Sequence, residues 1–183
     1  MINPDYILDT KIWLERAVIG LNLCPFAKAV HVKNQIRYVV SEATSVETLI
    51  ENLLLELNHL ANASVEEIDT TLIIHPHVLS DFLDYNDFLE VADGAVEELG
   101  LTGEIQVASF HPQYQFADTE PEDITNYTNR APYPTLHLLR EASVERAVAA
   151  FPEAAEIFEK NMATLEKLGH SGWQALGLSK NSQ

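Results

Sequence analysis

The sequence predicts one α/β domain: a mixed sheet of about four strands, the first three parallel, flanked by helices, with a long ordered loop ahead of the last strand. Three observations lead there. Short apolar runs alternate with segments of helical period between Ile36 and Phe110, the pattern of strands joined by helical crossovers. A length of 183 residues suits a single domain. From His111 to Pro134 the period disappears while tyrosines and phenylalanine persist, as expected of an ordered loop rather than a disordered linker.

The first helix is expected to start at Asn3-Pro4-Asp5, with Asn as cap and Pro in the first turn, and to place Ile7, Leu14, Val18 and Leu21 on one face. It should stop near Gly20 to Asn22, where both residue types tolerate a left-handed backbone and Pro25 bars continuation. Ile36 to Val40 reads as a strand. Thr44 and Glu47 have capping-box spacing before a helix that buries Val46, Leu49, Ile50, Leu53, Leu57 and Leu60 and shows Glu51, Glu56 and Asn58 to water. Leu72 to Ile74 reads as a strand covered on both faces. A third helix follows from about Ser80, aligns Tyr85, Phe88, Leu89, Ala92, Val96 and Leu99, and ends at Gly100.

Ile105 to Phe110 and Thr135 to Leu139 supply the remaining strands. Ser143 is expected to cap a short helix. Pro152 is expected to open a last helix with Ala155, Phe158, Met162 and Leu165 inward. The domain is taken as residues 1–178, with 179–183 a frayed tail. Pro134-Thr135-Leu136 before a strand also resembles the cis-proline and following strand of thioredoxin-like folds, a topology the element order admits, without the CxxC pair of the redox proteins.

The formal charge is −17, with 11 Lys and Arg against 28 Asp and Glu. Such a surface repels phosphate backbones and anionic lipid, so nucleic acid and membranes are not expected partners; a small molecule or a protein is. One cysteine, Cys24, allows no internal disulfide, and the chain has neither a signal-like start nor an apolar run long enough for a bilayer. The expectation is a soluble cytoplasmic protein.

Two stretches carry more than generic α/β sequence: Gly20 to Ala27, which contains Cys24-Pro25-Phe26, and Ser109 to Phe116 continuing through Asn126 to Pro134 and Leu136 to Glu141. Together they resemble the bacterial domain-of-unknown-function family numbered 1415, over nearly the whole chain. The resemblance implies a small cytosolic protein whose signature includes the Cys-Pro-Phe, His-Pro and Asn-Arg-x-Pro-Tyr-Pro segments. Ala131 departs from the pattern, which more often has Ser there. No reaction or cofactor is implied.

Two strands end in His-Pro, at His75 and His111, and parallel strands would bring both to one sheet edge. Neutral imidazoles there, with Cys24, Asp118, Glu120 or Asp123, could hold a metal, although no ligand pair has a regular metal-site spacing. Alternatively the imidazoles only bond strand-end backbone. Cys24 is the one candidate thiol nucleophile and His111 its candidate base; a small buried apolar role is the competing account of Cys24.

In Asn129-Arg130-Ala131-Pro132-Tyr133-Pro134 the prolines stiffen the backbone, so Arg130 is presented on a firm support suited to a carboxylate or phosphate. An internal ion pair with Glu120, Glu122 or Asp123 is the alternative. His137 and Arg140 are expected on opposite faces of their strand. These features give the functional expectation: a small-molecule enzyme or ligand-binding protein whose site lies under the 111–134 loop. Catalytic roles fall to His111 and Cys24, and ligand contacts to Asn129, Arg130, Tyr114, Tyr133 and Asp123. A non-catalytic interaction module with an open apolar patch and a metal-binding protein are the alternatives.

Overall fold

All four anticipated strands form: β1 Ile36–Val40, β2 Thr70–Ile74, β3 Ile105–Phe110 and β4 Thr135–Arg140. They make one sheet in the order β1-β2-β4-β3 in the computed structural model, which describes residues 4–178. β1 and β2 are parallel, and β4 runs antiparallel between β2 and β3. β3 therefore shares the direction of β1 and β2, so the ends of all three lie along one edge, as expected, and the 111–134 loop leaves from that edge. The Tyr133–Pro134 peptide is trans, so the cis-proline likeness behind the thioredoxin-like alternative is absent.

Helix α1, Tyr6–Trp13, is capped by Asp5, whose carboxylate accepts from the Leu8 amide; the expected cap Asn3 and the 179–183 tail lie outside the described residues. The helix continues as π-helical turns over Leu14–Ile19, which turn Trp13, Leu14, Ala17 and Val18 inward. The left-handed stop falls at Asn22, φ 53°, within the expected Gly20 to Asn22 stretch; Gly20 itself is right-handed, and a Cβ there would overlap the Arg16 carbonyl oxygen. Helix α2, Ala27–Val32, was not foreseen, because six residues carry too little period to read.

Helix α3, Val46–Asn62, is capped by Ser45, one residue beyond the expected Thr44, and holds Leu49, Leu53, Leu57 and Leu60 at 0% exposure. Glu56 is not given to water: it pairs with Arg37 of β1 at 2.8 Å. Helix α4, Phe82–Glu98, is capped by Asp81 and ends at Gly100, φ 69°. These two helices fill the first face of the sheet, where Ile73, Leu136 and Leu138 are 0% exposed.

Helix α5, Glu141–Ala150, begins directly after β4, so Ser143 lies inside its first turn and caps nothing; its hydroxyl donates to Asp69 at 2.5 Å instead. Helix α6, Ile157–Ala175, buries Asn161 and Leu165, while Phe158 is 55% exposed and Ala155 lies outside the helix, so the expected buried face is partly misplaced. No helix among the described residues is long and apolar enough to cross a membrane.

Candidate functional site

The 111–134 loop is ordered by its own side chains. Asn126, 0% exposed, accepts from the Phe116 amide and the Thr119 hydroxyl and donates to the Glu120 carbonyl. Arg130 Nε and Nη2 donate to the carbonyls of Tyr114 and Pro121 at 3.0 and 2.6 Å, and its guanidinium lies 4.5 Å from the Tyr127 ring centre. Neither an external anion nor the expected ion pair is needed to explain that arginine. Asn129 donates to the Ser109 carbonyl, and Asp123 accepts from Thr125. Tyr114 packs on Phe82 and Phe116, and Tyr133 reaches Asp9 of α1. Helix α6 lies against the loop through Tyr127 on Trp173 and Phe116 on Phe158.

His111 is 0% exposed and has both ring nitrogens engaged. Nδ1 accepts from the Gln113 amide, so Nε2 carries the proton and donates to the Leu79 carbonyl. Burial, the largest influence, lowers its pKa, so the ring is held neutral. His75 is placed similarly: Nδ1 donates to the Val78 carbonyl, burial lowers its pKa to about 4, and Nε2 is buried without a partner. Both imidazoles contact Tyr85 of α4, on the first face of the sheet. Cys24, like Ile36, Tyr38 and Phe110, packs against the Trp13, Leu14, Ala17 and Val18 cluster on the second face. The sheet separates the proposed nucleophile from its proposed base. Among the described residues no three His, Cys, Asp or Glu side chains are arranged to hold a metal.

A shallow hollow beside the loop takes in Arg130, together with Gln113, Gln115, Tyr127, His170 and the opposing acids Asp81 and Glu122. It contains none of the other expected site residues.

The second face of the sheet presents a different situation. Side chains alternate along a strand, so Ile36, Thr70, Leu72, Gln106, Ala108, Phe110, His137 and Leu139 point away from α3 and α4. Arg140 points the other way, as expected, and its guanidinium donates to the carbonyls of Leu60, Ala63 and Ile68 at the end of α3. Over the second face lies a cavity of about 670 Å³. Its floor is those eight sheet residues; its walls are Trp13, Leu14 and Val18 of the first helix, the segment from Cys24 through α2, and α5. Neither α2 nor α5 has a single buried residue, because their inner sides face this space rather than the sheet. Phe26 and Phe151 meet edge-on, with ring centres 6.0 Å apart, at one end of the two helices.

The lining also reverses the charge bias of the chain. Two cationic side chains, Lys33 and Arg146, line it against one carboxylate, Asp69, which is engaged by Ser143; Arg140 borders it with its backbone end only, its guanidinium being held on the first face. Lys33 and Arg146 are exposed where the cavity meets solvent. Cys24 lines it too, with its thiol pKa raised chiefly by burial, so the protonated form is favoured. His137 is the titratable group among those eight floor residues, and burial lowers its pKa to about 4. The sequence reading missed this site because its walls come from a short helix without a legible period and from a helix whose inner side meets no protein. The one available signal was the alternation that sets His137 apart from Arg140.

No curated protein and no solved structure matches the chain. The model of the family described as "Protein of unknown function (DUF1415)" matches residues 5–175, nearly the whole length, and the chain belongs to that family.

Proposed function

We propose that this protein binds a small molecule, with an apolar body and an anionic end, in the cavity on the second face of the sheet. The observation that carries the proposal is that α2 and α5 hold no buried residue and face a cavity of about 670 Å³ instead. Helices of six and ten residues gain little stability alone and depend on what their inner sides touch, so an occupant would supply contacts the sheet does not. The volume falls within the range of about 300–1,000 Å³ usual for small-molecule sites, and a mainly apolar lining with few polar groups has the usual composition. Lys33 and Arg146 at the mouth suit a carboxylate, sulfonate or phosphate in a chain otherwise dominated by acids.

This keeps the small-molecule function expected from the sequence and moves its site across the sheet. Among the described residues, the seven exposed large apolar side chains, such as Leu8, Val32, Leu55 and Phe158, are spread over six α-helices rather than gathered on one, which favours a small molecule over a docked protein.

Anilinonaphthalene sulfonate has the proposed shape and charge and fluoresces when its rings leave water. The native protein should bind it with saturable enhancement, Ala147→Trp should abolish that by filling the cavity from α5, and Lys33→Glu with Arg146→Glu should weaken it at least about tenfold. Absence of saturable uptake by the native protein, or equal uptake by a folded Ala147→Trp variant, would remove the proposal.

A further inference from the structure

We infer that His137 is the group inside the cavity that recognises the ligand's polar atom, accepting through Nδ1 a hydrogen bond from a hydroxyl or amide N–H carried on the apolar body. The inference rests on the cavity being a binding site and specifies what binds there.

The tautomer follows from three atoms. Thr70 Oγ1 lies 2.7 Å from the Leu138 carbonyl oxygen and 2.6 Å from His137 Nε2. A carbonyl oxygen can only accept, so the single hydroxyl proton of Thr70 goes to Leu138, and the short contact to the ring requires Nε2–H to donate to the hydroxyl oxygen. Nδ1 is left as a lone pair without a partner among the described residues. It is not among the buried unpartnered polar atoms, so it keeps accessible surface, and the imidazole lines the cavity. Phe110, with its ring centre 5.9 Å from that of His137, and Leu72, directly opposite on β2, limit how the ring can turn.

Burial keeps this imidazole uncharged at neutral pH, so it offers an acceptor rather than a second cation. An acceptor in an apolar chamber discriminates strongly between ligands, because one without a donor takes water from the nitrogen and returns nothing. Thr70 is a positioning residue: its hydroxyl is committed to the Leu138 carbonyl and to Nε2, and it acts by holding the proton on Nε2.

The test compares β-naphthol with its methyl ether, which share the rings and differ in the donor, each competing with anilinonaphthalene sulfonate. Nitrogen NMR of histidine-labelled protein reads the tautomer in parallel. The expected result is a protonated Nε2 at His137 in the ligand-free protein, an Nδ1 shift on adding the naphthol, and about tenfold tighter binding of the naphthol than of the ether. His137→Phe and Thr70→Val should both bring that ratio near one while still binding the ether; a merely structural role for either residue would leave the ratio unchanged. A protonated Nδ1 in the native protein, or equal affinity for both probes, overturns the inference while the cavity stands. If the dye and both probes fail to bind the native protein, the cavity proposal falls and takes the inference with it.

Discussion

Arg130 Nη2 lies 2.6 Å from the Pro121 carbonyl oxygen, joining the last part of the 111–134 loop to its middle. With Nε on the Tyr114 carbonyl and the guanidinium over Tyr127, the side chain that looked most like a ligand clamp ties the loop together. Arg130→Met should cost about 1–2 kcal/mol, the range for losing charged hydrogen bonds to one half-buried and one exposed carbonyl. Hydrogen exchange should quicken from Tyr114 to Asn126, and uptake of anilinonaphthalene sulfonate should be unchanged. A loss of dye binding at unchanged stability would put Arg130 back at the ligand.

Arg140 makes a comparable closure on the first face, where its Nη2 reaches the Leu60, Ala63 and Ile68 carbonyls at 2.8–2.9 Å. The last carbonyls of a helix have no intrahelical partner, and a guanidinium there meets both the missing donor and the negative end of the dipole. Arg140→Lys keeps the charge but loses the fork, so urea denaturation should show about 1–2 kcal/mol lost, and Arg140→Met more. Equal stability of native protein and Arg140→Met would show the carbonyls to be as well served by water.

The strands were legible because each is a short apolar run closed by a polar or proline residue, as in Leu72 to Ile74 before His75-Pro76. The leucine stripe of α3 was legible because every position in it is covered. The cap of α3 was placed one residue off, at Thr44, since hydroxyl residues stand together there and only the backbone decides which one turns inward; at Ser143 the helix starts earlier, after Arg140, without a side-chain cap. The candidate site escaped for a deeper reason. Sequence periodicity reports sides buried against protein, and α5, with Ser143, Val144 and Ala147 inward, faces a cavity. Polar residues crowd the loop from His111 to Pro134 because an irregular backbone has many amides and carbonyls to satisfy, as Asn126 does with three bonds. That crowding resembles a site in one dimension and is internal scaffolding in three.

Cys24 lines the cavity with a thiol whose pKa is raised by burial, against the smaller opposing influence of the Phe26 and Ala27 amides. Only the thiolate is alkylated, so iodoacetamide at pH 8 should modify native Cys24 at least about tenfold more slowly than the urea-unfolded chain. Saturating anilinonaphthalene sulfonate should slow it further by occupying the same space. Modification as fast as in the unfolded chain would mean an activated thiol and revive the nucleophile role.

His75 and His137 are both lowered to about 4 by burial, whereas in the unfolded chain each returns to about 6.5. Between these values the unfolded chain binds more protons than the folded one, so stability rises with pH from about 4 to about 6.5 and levels off above. Each ring contributes a few kcal/mol at most to that rise, since one pKa unit corresponds to about 1.4 kcal/mol. The informative quantity is the difference between native and variant, which isolates the ring that is replaced. In urea denaturation at several pH values, His137→Phe should lower the slope of stability against pH by about one proton between pH 5 and pH 6. His75→Phe should do the same independently, because the two rings lie on opposite faces of the sheet and their effects should add. An unchanged slope in His137→Phe would mean that the ring takes up its proton inside the folded cavity. In that case it would meet a ligand as a cation, and the preferred ligand atom would be an acceptor rather than a donor.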